Sequence, residues 1–163
     1  MGNVYNLTEI TVEQAQELAK SEGGLDLNGL RTLTDKAAEA LAKHKGILCL
    51  YSLPTLTDNA AEALGKHEGE LYLNGLRTLT YKAAEALAKH EGQLDLGGLG
   101  SLTDKAAEAF AKHKGTLYLS RLIRLSGKAM DALAEPEGKV FYFHNGRITF
   151  TPYPDTLNNG NYD

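Results

Sequence analysis

The chain has a single cysteine, Cys49, among 163 residues. One thiol excludes an internal disulfide, and such sparing use suits a reducing compartment. No apolar run approaches the roughly 18 residues of a membrane span. The opening residues, MGNVYNLTEI, lack the charged and apolar regions of a signal peptide. A soluble, cytoplasmic protein is the expectation. Positive charge is also in short supply: the formal net charge is −4 and no basic stripe stands out, which argues against nucleic acid as a partner. Catalytic apparatus is missing as well. There is no Ser/His/Asp spacing, no glycine-rich phosphate loop before a suitable helix, and no carboxylate pair outside repeated surface positions. The run GGLGS at 97–101 belongs to a repeated turn. DTLNNG at 155–160 has Leu157 where a calcium loop needs an oxygen donor, and no distal Glu follows. Neither an enzyme nor a cofactor is expected.

What the chain has in abundance is itself. Leu25, Leu48, Leu71, Leu94, Leu117 and Val140 stand 23 residues apart. A unit reads LDLNGLRTLTDKAAEALAKHKG, from Leu25 to Gly46, and recurs with few changes. Such a period signals a stacked repeat. The frame gives one divergent N-terminal unit (1–23), five repeats (24–138) and a C-terminal strand and hairpin (139–151), together a single domain, followed by a tail (152–163).

Each unit has two halves. LDL alternates apolar and polar, the period of a half-buried strand, with Leu25 and Leu27 inward and Asp26 and Asn28 outward. Thr34 reads as a helix N-cap and Asp35 suits the positive end of the helix dipole. KAAEALAKH is built of strong helix formers; Ala37, Ala38 and Leu41 share one face, and Glu39–Lys43 is a favourable i,i+4 pair repeated at 62/66, 85/89 and 108/112. The recurring KHxG of Lys43–Gly46 reads as a helix stop. Cations sit in the last turn and Gly46 takes the left-handed cap. Zinc would need donors within roughly 4 Å of each other, whereas packed helices lie roughly 8–10 Å apart. The four histidines therefore read as capping or surface residues.

One unit cannot stand alone. Its few buried leucines contribute about 2 kcal/mol each, less than ordering 23 residues costs at about 1–2 kcal/mol apiece. Units must share a leucine core, with strands pairing in parallel. Strands repeat about every 4.8 Å and helices need more room, so the stack curves with the strands on its concave face. The pattern LxLxxLxxLTxxAAxxLxxHxG resembles the bacterial leucine-rich repeats of about this period, over roughly residues 2–145. The resemblance implies an α/β right-handed solenoid that binds other molecules, usually proteins. One column departs from the family: where an Asn or Cys is familiar, this chain has Leu30, Leu53, Leu76, Leu99 and Leu122, so the turn there must be satisfied another way. At the far end, Asn145-Gly146 between two β-rich runs signals a type I′ hairpin, which would cover the last strand edge.

Function is sought in the columns that vary. The outward strand columns read Asp26, Cys49, Tyr72, Asp95, Tyr118, Phe141; then Asn28, Tyr51, Asn74, Gly97, Ser120, Phe143; and, flanking them, Gly24, Ile47, Glu70, Gln93, Thr116, Lys139. Exposed aromatics favour protein interfaces. The expected site is a concave face centred on Tyr51, Tyr72 and Tyr118, with Glu70, Asp95, Asp26 and Cys49 beside them, binding a protein or peptide. The alternative is a spacer or assembly subunit, for which these tyrosines would be dispensable. Phe141 and Phe143 are expected to pack beneath the hairpin or tail. Tyr81 stands in the column of Asp35, Asp58 and Asp104 and has no assigned role.

Overall fold

The computed structural model describes residues 7–144 and 147–151. Helix and strand alternate as far as β6, and a further strand follows: α1 (Val12–Leu18), β1 (Leu25–Asp26), α2 (Asp35–Leu41), β2 (Lys45–Cys49), α3 (Asp58–Leu64), β3 (Glu68–Tyr72), α4 (Tyr81–Leu87), β4 (Leu94–Asp95), α5 (Asp104–Phe110), β5 (Thr116–Leu119), α6 (Gly127–Ala134), β6 (Lys139–His144) and β7 (Arg147–Thr151). The strands form one sheet in chain order. β1 to β6 are parallel and their register is the 23-residue period itself: Leu25 faces Leu48, Leu48 faces Leu71, Leu71 faces Leu94. β7 pairs antiparallel with β6. The Asn145-Gly146 turn, the Phe143 side chain, Val4 and the tail 152–163 lie outside what the structure describes. Among the described residues no helix is long and apolar enough to cross a membrane.

The core lies between sheet and helices. Leu27, Leu50, Leu73, Leu96 and Leu119 are fully buried, as are Leu41, Leu64, Leu87, Phe110 and Leu133 from the helices. Paired alanines such as Ala37-Ala38 and Ala60-Ala61 are also fully buried. The leucine column of Leu30, Leu53, Leu76, Leu99 and Leu122 closes its turn with its own backbone. Leu30 N–H donates to the Leu27 carbonyl (3.0 Å), and Leu76 and Leu99 repeat the bond (3.1 Å each). The freed side chains are buried as hydrophobes, so no side-chain amide is needed.

Helix starts follow expectation. Thr34, Thr57, Thr80, Thr103 and Ser126 each accept a hydrogen bond from the amide three residues on. The same hydroxyls also link units: Thr57 donates to Asp35, Thr80 to Asp58 and Ser126 to Asp104. The bond from Thr57, then that from Asn59, holds the Asp35 carboxyl below its ordinary range. Tyr81 breaks the series, putting a ring where the acceptor should be; Lys105 Nζ lies 5.7 Å from that ring's centroid.

Helix ends do not follow expectation. α2 stops at Leu41, is capped by Ala42 in the right-handed helical region, and closes through a tight turn in which His44 N–H donates to the Leu41 carbonyl (2.9 Å). Gly46 is not a cap: it lies inside β2 with φ +124°. Nor are the histidines on the surface. His44, His67, His90 and His113 are 0–3% exposed. Of the four expected helix ion pairs, only Glu62–Lys66 closes among the described residues, at 3.1 Å.

Candidate interaction face and the histidine ladder

The strand register sets Asp26, Cys49, Tyr72, Asp95, Tyr118 and Phe141 in one row across the sheet. Alternation along each strand turns this row away from the helices. Tyr51 lies in the turn two residues beyond β2 and meets Tyr72 of the next unit edge to face, with ring centroids 5.6 Å apart and planes at 82°. This is a favoured aromatic geometry. Tyr51 stays 39% exposed and Ile47, in the neighbouring column, 38%.

Polar neighbours hold the Tyr72 ring and the Tyr51 backbone. Tyr72 O–H donates to Glu70 Oε2 (2.7 Å), and Gln93 Nε2 donates to the Tyr72 oxygen (2.8 Å). The Tyr51 amide donates to Asn28 Oδ1 (3.2 Å). Asp95 accepts from its own loop at the Gly97 amide (2.8 Å) and from Asn74 Nδ2 (2.8 Å), and Asp26 accepts from the Asn28 amide (3.0 Å). The bond to the Glu70 carboxylate, then burial, pushes the Tyr72 phenol up to about 12. Burial and the adjacent Cys49 do the same for Tyr51, to about 12. Burial also raises the Cys49 thiol. All three groups are neutral at physiological pH. Cys49 is therefore a poor nucleophile, and the row's charge comes from its carboxylates.

The structure brings Tyr51, Tyr72, Glu70, Cys49 and Asp95 together, with Asp26 at one end of the row. Tyr118 stands apart: it stacks on Phe141 at 5.0 Å with planes 11° from parallel. Sequence reasoning assigned no role to Ile47, Asn74 or Gln93, although the variability of their columns marked them.

A second constellation departs from the sequence expectation of capping or surface histidines. The four imidazoles stack face to face along the protein, centroids 6.1–6.2 Å apart and planes 8–14° from parallel. His44 Nε2 lies 3.0 Å from the Gly23 carbonyl and His67 Nε2 3.0 Å from that of Gly46. A carbonyl only accepts, so each Nε2 carries the proton. At His90 the Gly69 carbonyl is close but outside hydrogen-bond geometry, and His113 turns Nδ1 towards Ala88 O at 3.4 Å. Burial pushes His67, His90 and His113 below the ordinary imidazole value. These three rings are thus neutral at physiological pH, and His44 and His67 tie their units to the one before.

The glycines complete it. A Cβ on Gly46 would stand 2.7 Å from Gly23 O; on Gly69, 1.9 Å from Gly46 O; on Gly92, 1.9 Å from Gly69 O. Glycine is required here by close approach of backbone between units, not by a helix cap. The signal was present in the repeat: a histidine column unchanged over four units behaves like the fixed core columns and unlike the variable outer ones. Parallel stacked rings do not converge on a point, and no group of three or more His, Cys, Asp or Glu among the described residues is arranged to hold a metal ion.

Comparison with known proteins finds no family model, no curated protein and no solved structure that matches the chain.

Proposed function

We propose that this chain is a non-enzymatic interaction module, a right-handed solenoid of the leucine-rich-repeat kind, that binds a protein or peptide on its concave strand face. The observation that carries this reading is the Tyr51–Tyr72 pair. Two aromatic rings of adjacent units, one of them 39% exposed, stand in contact; the Tyr72 hydroxyl is held by Glu70 and Gln93 and the Tyr51 backbone by Asn28. Aromatic anchors that are already ordered lose little conformational entropy on binding, and tyrosine is among the residues that dominate interface energetics. The parallel sheet supplies a rigid base. In the same reading β7 serves as a cap on the last parallel strand, relieving an edge that would otherwise invite pairing with another chain.

The test is a peptide-display selection against the protein, followed by anisotropy titration of the enriched peptides. The expected result is at least tenfold weaker binding to the Tyr51→Ala/Tyr72→Ala variant. Peptides that bind both proteins equally, or a selection that enriches none, would overturn the reading.

A further inference from the structure

The charge on the strand face is of one sign. From Gly24 to Ser120, the three outward columns of the five units carry Asp26, Glu70 and Asp95 and no lysine or arginine; the first cation in them is Lys139 of β6. The rim column holds both signs, with Lys45 and Lys114 among Glu22, Glu68, Glu91 and Glu137, and Lys45 is drawn to Glu68 at 3.6 Å. Among the described residues no ion pair neutralises Asp26, Glu70 or Asp95. Their hydrogen bonds come from amides and a phenol, which leave the negative charge in place.

Spacing adds a second constraint. Asp26 and Asp95 occupy the same row, three strands apart, with Cys49 and Tyr72 between them. At about 4.8 Å per strand the two carboxylates are about 14 Å apart along the row. An extended peptide rises about 3.4 Å per residue, so four residues span the same distance. Every second side chain of such a peptide faces the sheet. Residues i and i+4 then meet the carboxylates, and residue i+2 meets the Tyr51–Tyr72 pair and Ile47.

Resting on the interaction-face reading above, we infer that the occupant is an extended basic peptide segment that crosses the strands along the Asp26–Cys49–Tyr72–Asp95 row, with Lys or Arg four positions apart and an apolar residue midway. The carboxylates provide steering and register, and the tyrosines provide the contact area. Phosphate-bearing ligands are repelled by the same field.

The test uses three fluorescein-labelled nonapeptides in a Gly/Ser background: two lysines four positions apart with leucine midway, the same composition with the lysines adjacent, and glutamates in place of both lysines. Anisotropy is followed with wild type and with Asp26→Asn/Asp95→Asn. Asparagine keeps an acceptor for the Asn28 and Gly97 amides, so the fold is retained, which a thermal melt verifies. The spaced-lysine peptide is expected to bind at least tenfold more tightly than the other two, to weaken at least tenfold on the double asparagine variant, and to weaken with added salt. Equal binding of the glutamate or adjacent-lysine peptide, indifference to the asparagines, or no saturable binding of the spaced peptide overturns the inference. If display-selected peptides depend on the tyrosines but not on the carboxylates, only the charge inference falls. If nothing depends on the tyrosines, the face itself is wrong.

Discussion

Gly69→Ala is the sharpest perturbation of the inter-unit contact. Gly69 has φ +142° and pairs with Gly46 across β2 and β3. A Cβ there would stand 1.9 Å from Gly46 O, 2.7 Å from Gly46 C and 3.0 Å from Gly46 Cα. Ordinary contact begins at 3.4 Å, so the strands must part locally by about 1.5 Å. All three atoms are backbone, so no rotamer change can absorb the clash. Overpacking of this kind costs about 1–3 kcal/mol and the unfavourable φ a further 1–3 kcal/mol or so. Moving the Gly46 carbonyl also puts its 3.0 Å bond to His67 Nε2 at risk, worth about 1 kcal/mol. The sum is about 3–7 kcal/mol, against a total stability of about 5–15 kcal/mol for a domain. Gly100→Ala is the control, since a Cβ there meets nothing within 4 Å; it should change stability by no more than about 0.5 kcal/mol. Urea unfolding followed by far-ultraviolet circular dichroism measures both. A Gly69→Ala variant within 1 kcal/mol of the control would refute the claim that this glycine column exists for close backbone approach.

Other perturbations separate the remaining contacts. Acidification should lower stability. His67, His90 and His113 are held below the unfolded imidazole value of 6.5, so the unfolded chain binds more protons as pH drops. The stability they contribute is present above about 6.5 and lost below it, towards their folded values. His90→Leu should flatten that dependence, and urea midpoints at pH 7.5 and 5.0 decide the matter. Phe110→Ala, at a fully buried ring, should cost about 3–5 kcal/mol, whereas Ile123→Ala, at a side chain 79% exposed, should be nearly silent in the same melt. Thr57→Ala should cost more than Thr103→Ala in thermal unfolding. Both lose an N-cap worth about 1 kcal/mol, but only Thr57 also donates to an aspartate of the preceding unit; equal losses would show that link to be idle.

The period, the parallel register and the threonine caps were legible because each rests on a local rule repeated many times. Leu25, Leu48 and Leu71 recur at one spacing, and only in-register pairing keeps them in one core. The Tyr51–Tyr72 contact was legible for the same reason, since a fixed register turns column positions into neighbours. The histidines were misread because the local rule and the tertiary demand coincide in sequence. A cation followed by glycine after a run of helix formers matches a helix stop, and nothing within one unit reveals that the glycine touches the glycine before it. The expected separation of 8–10 Å was a helix spacing. The rings instead lie where helix gives way to strand, and they stack at 6.1–6.2 Å. Tyr81 was legible as an oddity but not as a break in a chain of hydroxyl–carboxylate bonds, because that chain runs between units and not within one.

The glycine–carbonyl contact carries a consequence for how this molecule can change length. Each unit offers a bare carbonyl to the next and needs a hydrogen in place of a side chain to receive the one before. An added or deleted residue between His44 and Cys49 would set a side chain against that carbonyl and shift every row of the outer face. A whole block of 23 residues inserted after Gly46 or Gly69 instead brings its own histidine, its own glycine and its own carbonyl, and both junctions close as before. Length is quantised in this architecture, while the spacing between neighbours is fixed.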